Sequence, residues 1–211
     1  MSHELHLDNI RISKDGRELI AIDQTVAAGE VLSVMGPSGA GKSTLLNYII
    51  GTLPSDFKAT GAVLLNGADL CALPSNQRQV GILFQDDLLF PHMSVGQNLA
   101  FGLSADIRGA DRLARIDQAL TEIGLEGFAD RDPETLSGGQ KARVALMRML
   151  LSEPRVLLLD EAFSRLDTER RDQIRTLVFD TARARQLPVI MVTHDQADAD
   201  AAGGPVFYLT D

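Results

Sequence analysis

The stretch GPSGAGKST, Gly36 to Thr44, follows directly on the apolar run VLSVM, Val31 to Met35. Glycine and serine make a poor core, but they suit a place where backbone must come close to something else. The run before them reads as a short buried strand. Ser43 to Ile50 has helical apolar spacing and stops at Gly51. The stretch therefore fits G-x-x-x-x-G-K-[ST] between a strand and a helix, the context that makes a pattern match a phosphate loop. Small residues let successive N–H groups converge on an anion, and the helix adds its positive N-terminal end. Lys42 offers a full charge to the β- and γ-phosphates, and Ser43 offers a hydroxyl to Mg²⁺. Gly36, Pro37, Ser38, Gly39, Ala40, Gly41, Lys42, Ser43 and Thr44 are thus candidates to hold a nucleotide. The plainer alternative is a turn that happens to match. Such a loop does not choose among kinases, GTPases and motor ATPases.

A second anchor is VLLLDEAF, Val156 to Phe163. Val156 to Leu159 is short and wholly apolar, as expected of a central parallel strand buried on both faces. Asp160 ends it, and ligands of such sheets bind beyond the carboxyl ends of the strands. Asp160 is therefore placed to orient Mg²⁺ and its waters. Glu161 follows and is placed to act as general base on the water that attacks the γ-phosphate. Taken alone, an adjacent Asp-Glu pair fits a helix N-terminus equally well. A third piece, LSGGQ, spans Leu136 to Gln140 before KARVALMRMLL. Ser137, Gly138 and Gly139 would present a second nest of N–H groups at a helix start. Alone, they are a cap and a turn.

Working outward, Leu5, Leu7, Ile10 and Ile12 predict a strand that turns at Lys14-Asp15-Gly16, with a partner over Glu18 to Val26. Ala62 to Leu65 and Val80 to Phe84 read as strands, and Asn66-Gly67 as a tight turn. The middle changes character. Leu113, Ile116, Leu120 and Ile123 form a helical stripe, and Gly139 to Leu151 forms another helix. Thr168 to Arg185 reads as a helix, Pro188 to Thr193 as a buried strand and Val206 to Leu209 as a last strand. This alternation predicts an α/β fold with a mostly parallel central sheet and N-terminal antiparallel strands. The chain is expected to be one domain, 1–211. Residues 1–85 and 152–211 would form the α/β core, and 86–151 an inserted α-helical subdomain carrying LSGGQ.

With 211 residues, 45% of them hydrophobic, the chain buries enough surface to fold without disulfides or structural metal. Cys71 is the sole cysteine. It permits no intrachain disulfide or zinc cluster and suits a reducing cytoplasm. The start, MSHELHLDNI, has no basic segment followed by a long apolar one, so no signal peptide is expected. The apolar runs are far below the roughly 18 residues of a membrane span. A net charge of −9 counts against nucleic-acid binding and docking on anionic lipid. The local basic clusters, Arg143 to Arg148 and Arg170 to Arg175, read as solvated helix faces.

In their order and spacing these motifs resemble those of the ATP-binding subunits of ABC transporters, over nearly the whole chain. GPSGAGKST matches the phosphate loop, Gln85 in ILFQDDLLF the Q-loop glutamine, and LSGGQ the signature. Asp160 and Glu161 match the Walker B pair, SRLD (Ser164 to Asp167) the D-loop, and His194 in VTHD the switch histidine. The resemblance implies a P-loop NTPase fold, ATP and Mg²⁺ as cofactors, and a head-to-tail homodimer with ATP sandwiched between copies. Each ATP would touch the phosphate loop of one copy and Ser137, Gly138, Gly139 and Gln140 of the other. Asp167 would cross the dimer interface. Ser43, Gln85 and Asp160 would serve Mg²⁺. His194 would contact the γ-phosphate and hold Glu161 and the water. Gln85 would take part in catalysis, sensing Mg²⁺ or the attacking water and passing the change to the helical subdomain. Hydrolysis would remove the γ-phosphate bridge and let the halves part.

The chain departs from the family pattern at three points. The family stacks an aromatic ring on adenine, and here that position falls near Lys14, leaving Ile12 or the Lys14 stem. Ala162 stands where proline is usual. Arg165 stands where a small residue is usual, and would reach a phosphate, the opposite subunit or solvent. The segment after Gln85, DDLLFPHMSVGQNLAFGL, resembles importer ATPases, which receive a coupling helix from a separate permease. Leu88, Leu89, Phe90 and Met93 would then form the docking patch, or else subdomain core. With its last strand close to Asp211, the sequence is expected to carry no C-terminal regulatory domain of the kind some importer ATPases have. The expectation is a motor subunit on the cytoplasmic side of the inner membrane, peripheral and soluble when isolated. It would drive an integral membrane permease and, indirectly, serve a periplasmic solute-binding protein. The alternatives are an exporter or lipid-extraction motor, or a non-transport ATPase acting on ribosomes or DNA.

Overall fold

The computed structural model describes residues 4–209. In chain order its first elements are β1 (Leu5–Lys14), β2 (Arg17–Val26), β3 (Val31–Met35), α1 (Lys42–Ile50), β4 (Phe57–Leu65), β5 (Ala68–Asp69) and β6 (Val80–Phe84). Then come α2 (Val95–Gly102), α3 (Gly109–Glu122), α4 (Gly138–Leu150), β7 (Val156–Asp160), α5 (Thr168–Ala184), β8 (Val189–Thr193), α6 (Gln196–Ala202) and β9 (Val206–Tyr208).

The strands form two sheets, one in the order β2-β1-β4-β5 and the other in the order β6-β7-β8-β3-β9. The first is antiparallel. In the second, β7, β8, β3 and β9 run parallel. This is the α/β architecture that the alternation of elements predicts. β3 and β8 are buried along their whole length, and β7 up to Asp160. That burial explains why these strands read as unbroken apolar runs.

Contact density divides the chain into two compact units, one of 1–82, 155–161 and 177–211, the other of 83–154 and 162–176. In the first unit, the alternating residues Leu5, Leu7, Ile10 and Ile12 of β1 are fully buried. They share a core with Leu45, Leu46 and Ile49 of α1 and with Leu32, Val34, Leu158, Ile190 and Val192 of the parallel sheet. Alternate residues on those strands, such as Met35, Leu157 and Met191, are buried too. α6 lies against β3 and β8.

In the second unit α2 packs on α4 and α3. Asn98 is fully buried. Its amide accepts from Phe90 N at 2.9 Å and donates to the carbonyls of Phe90, Met93 and Ser94 at 3.1, 3.2 and 3.1 Å. One side chain thus staples the loop leading into α2.

The structure corrects the sequence expectation in detail. β4 begins at Phe57, five residues before Ala62, because pairing with β1 continues out to Lys14–Phe57. The short helices α2 and α6 lie where the sequence periodicity showed no element. In the stripe on α3, Leu113 is 65% exposed while Ile116 and Leu120 are buried.

Candidate active site

The phosphate loop joins β3 to α1. Gly41 holds φ +91°, a left-handed conformation open chiefly to glycine, and a Cβ there would press on the Ile20 side chain at 3.2 Å. The loop thus turns tightly against the antiparallel sheet before α1 begins. No acidic residue lies within the first turn of α1 itself. Lys42 is only 6% exposed, and its Nζ donates to the carbonyls of Gly36 and Pro37 at 2.8 Å each. The ammonium is therefore held over the loop itself.

Ser43, next along α1, donates its hydroxyl to Asp160 Oδ1 at 3.1 Å. Asp160 closes β7, whose neighbour β8 pairs it with Val192. Burial pushes the Asp160 carboxyl above its ordinary range, and the neighbouring Glu161 charge adds to this. The Ser43 hydrogen bond and the Lys42 charge work the other way. A hydroxyl and a carboxylate sharing one point fit a hard, oxygen-seeking cation such as Mg²⁺.

Glu161 has φ +48° and donates its N–H to Val192 O at 3.1 Å. A non-glycine residue in that conformation costs roughly 1–2 kcal/mol, and such strain collects at functional sites. Its Oε2 lies 3.4 Å from Nδ1 of His194, which follows β8 and is well exposed. Behind the histidine, Thr193 Oγ1 donates to the buried Asp198 at 3.1 Å and accepts from Asp195 N at 3.0 Å. The first unit therefore brings together Lys42, Ser43, Asp160, Glu161 and His194.

Gln85, Ser137 to Gln140 and Asp167 belong to the second unit. Gln85 is exposed, just after β6. Ser137 caps α4, accepting from Gln140 N at 3.3 Å, while Gln140 Oε1 accepts from Ser137 N at 2.9 Å. This reciprocal capping box occupies the Gln140 amide oxygen and one N–H of the proposed nest. A Cβ on Gly138 would meet nothing within 4 Å, so that face is open. Asp167 is exposed and caps α5, accepting from Arg170 N at 3.1 Å. Arg165 is ion-paired with Asp86.

Of the two stand-ins for the adenine aromatic, Ile12 is fully buried in the core and unavailable. Lys14 pairs with Asp56 at 2.7 Å, and its ammonium lies 4.8 Å from the centre of the Phe57 ring.

Two residues that sequence reasoning missed support the site. Arg78 is 8% exposed and donates to the carbonyls of Tyr48 and Ile49, both at 2.9 Å, closing the C-terminal end of α1. Nothing in its neighbours' spacing announces this. The second is Asp198, tied to the Thr193 hydroxyl beside His194.

The profile of the ABC transporter family matches residues 19–164. The chain is similar to the uncharacterized ABC transporter ATP-binding protein YnjD of Escherichia coli, 51% identical over 187 residues, 89% of this chain and 86% of that one. It is 43% identical over 208 residues to the thiamine import ATP-binding protein ThiQ of a Jannaschia species, covering 98% of this chain and 89% of that one. It is 42% identical over 195 residues to the spermidine/putrescine import ATP-binding protein PotA of Salmonella typhimurium, covering 92% of this chain and 51% of that one.

Proposed function

Because the chain belongs to the ABC transporter family, as an ATP-binding subunit that hydrolyses ATP, we propose that it is the motor of an importer. The constellation that carries this is Lys42 and Ser43 at the head of α1, with Asp160, Glu161 and His194 at the carboxyl ends of β7 and β8. The direction of transport comes from ThiQ and PotA, which are import proteins by name.

The loop N–H groups and Lys42 take the phosphates. Ser43 and Asp160, with Gln85, would hold Mg²⁺, which when bound neutralises charge on the β- and γ-phosphate oxygens. Glu161 accepts the proton of the attacking water. His194 holds the Glu161 carboxylate in place from one side. Two copies would close head to tail on ATP, with Ser137, Gly138, Gly139 and Gln140 of one facing the phosphate loop of the other and Asp167 at their interface.

Among the described residues no helix is long and apolar enough to cross a membrane, so the path for solute would belong to separate permease subunits. Leu88 suits a docking patch for them. It is 55% exposed and holds φ +46°, a combination unfavourable for a leucine without a partner. Leu89, Phe90 and Met93 are half-buried behind it. The motor would then sit on the cytoplasmic face of the inner membrane, fed indirectly by a solute-binding protein.

Purification of the tagged chain from native membranes tests this. The expected result is a complex with a polytopic permease whose Mg²⁺-dependent ATPase rises with loaded binding protein. Recovery with ribosomes or DNA instead would overturn it.

A further inference from the structure

Asp86 follows Gln85 directly, and Arg165 lies in the segment 162–167 that leads into α5. Their side chains are ion-paired through Arg165 Nη1 and Asp86 Oδ1, although both are more than half exposed. Each group would be well solvated alone, so their meeting links two segments rather than filling a core.

The segment after Gln85 is also held from another side. Arg148 of α4 donates to the Asp87 carbonyl and to Asn98 Oδ1, both at 3.3 Å, and its guanidinium lies 5.0 Å from the centre of the Phe90 ring. The backbone there is thus fixed by α4, while the Asp86 side chain is fixed by Arg165. We propose that Arg165 is a positioning residue for Gln85: through Asp86 it ties the 162–167 segment to the Gln85 segment, so that displacement of one displaces the other. This rests on the ATPase reading and on a role for Gln85 in it. An exposed ion pair shifts an equilibrium by up to about fivefold, which suits an adjustable link better than a rigid strut.

The test uses the full chain and its steady-state ATP hydrolysis, with thermal unfolding measured alongside. Asp86→Ala and Arg165→Ala should each lower kcat about three- to fivefold, leaving KM for ATP within about twofold and the unfolding midpoint unchanged. The double variant should be no slower than either single, because the two act as one unit. The reversed pair, Asp86→Arg with Arg165→Asp, should recover most of the loss, and Arg165→Lys part of it. A merely structural role would move the midpoint and would not be rescued by reversal. Single variants with normal kcat, losses that multiply in the double, or a reversed pair no better than the singles would overturn the link. A wild-type chain with no Mg²⁺-dependent ATP hydrolysis would overturn the ATPase reading instead, and the link with it.

Discussion

Nδ1 of His194 lies 3.4 Å from Oε2 of Glu161, joining the residue after β8 to the residue after β7 across adjacent strands. A carboxylate held this way can accept a proton without first being repositioned. Glu161→Gln should therefore bind ATP normally and hydrolyse it at least about 100-fold more slowly. Single-turnover hydrolysis checks this, and a rate near wild type would remove Glu161 as the base. His194→Ala should slow the same step with ATP affinity nearly unchanged.

Lys42 makes two hydrogen bonds to its own loop, both of which ATP would have to replace. Lys42→Ala should weaken ATP binding by about 10- to 100-fold, the worth of a charge-assisted hydrogen bond. Lys42→Arg should not restore it, because a planar guanidinium does not fit where a compact ammonium reaches the Gly36 and Pro37 carbonyls. Titration with a fluorescent ATP analogue measures both.

Asp160 should trade stability for function. Its carboxyl titrates higher in the folded chain than in the unfolded chain, chiefly because it is buried. Between those two values the folded chain binds more protons, so stability falls as pH rises through that window and is level above it. Asp160→Asn should therefore raise Tm at neutral pH by about 2–4 °C. That gain should fade as pH drops to about 4, near the ordinary carboxylate value. The same variant should lose Mg²⁺-dependent hydrolysis. Calorimetry across pH, beside an ATPase assay, reads both halves.

Arg78 and Gly51 should prove to be stability positions. Arg78→Ala leaves the buried Ile49 carbonyl without its donor and the Tyr48 carbonyl with only Gly51 N–H, at a cost of about 2 kcal/mol or roughly 4–8 °C in Tm. Gly51→Ala is strained on two counts, since Gly51 holds φ +89° and a Cβ would come within 2.6 Å of Arg78 Cζ. Urea unfolding of both variants, followed by circular dichroism, is the check.

The sheet and the placement of the first unit's candidate residues were legible because both depend on local pattern. β3, β7 and β8 announced themselves as apolar runs, and Lys42, Ser43, Asp160 and Glu161 sit directly at strand or helix ends. α2 was missed although Ser94-x-x-Gln97 carries the same capping-box spacing as Ser137-x-x-Gln140. Two glycines and the buried polar Asn98 interrupt its inner face, so no apolar stripe shows. Arg78 and Asn98 could not have been found, because their partners are backbone carbonyls brought near by folding. The Arg165–Asp86 pair joins residues 79 apart, and no spacing rule reaches that far.

Ile20 braces the head of α1 at Gly41, and the Arg78 guanidinium clasps its tail, so the rod beneath the phosphates is gripped at both ends. A helix pinned at both ends is ill suited to swing. Whatever stroke the motor delivers must then be delivered by parts less firmly bolted than this one.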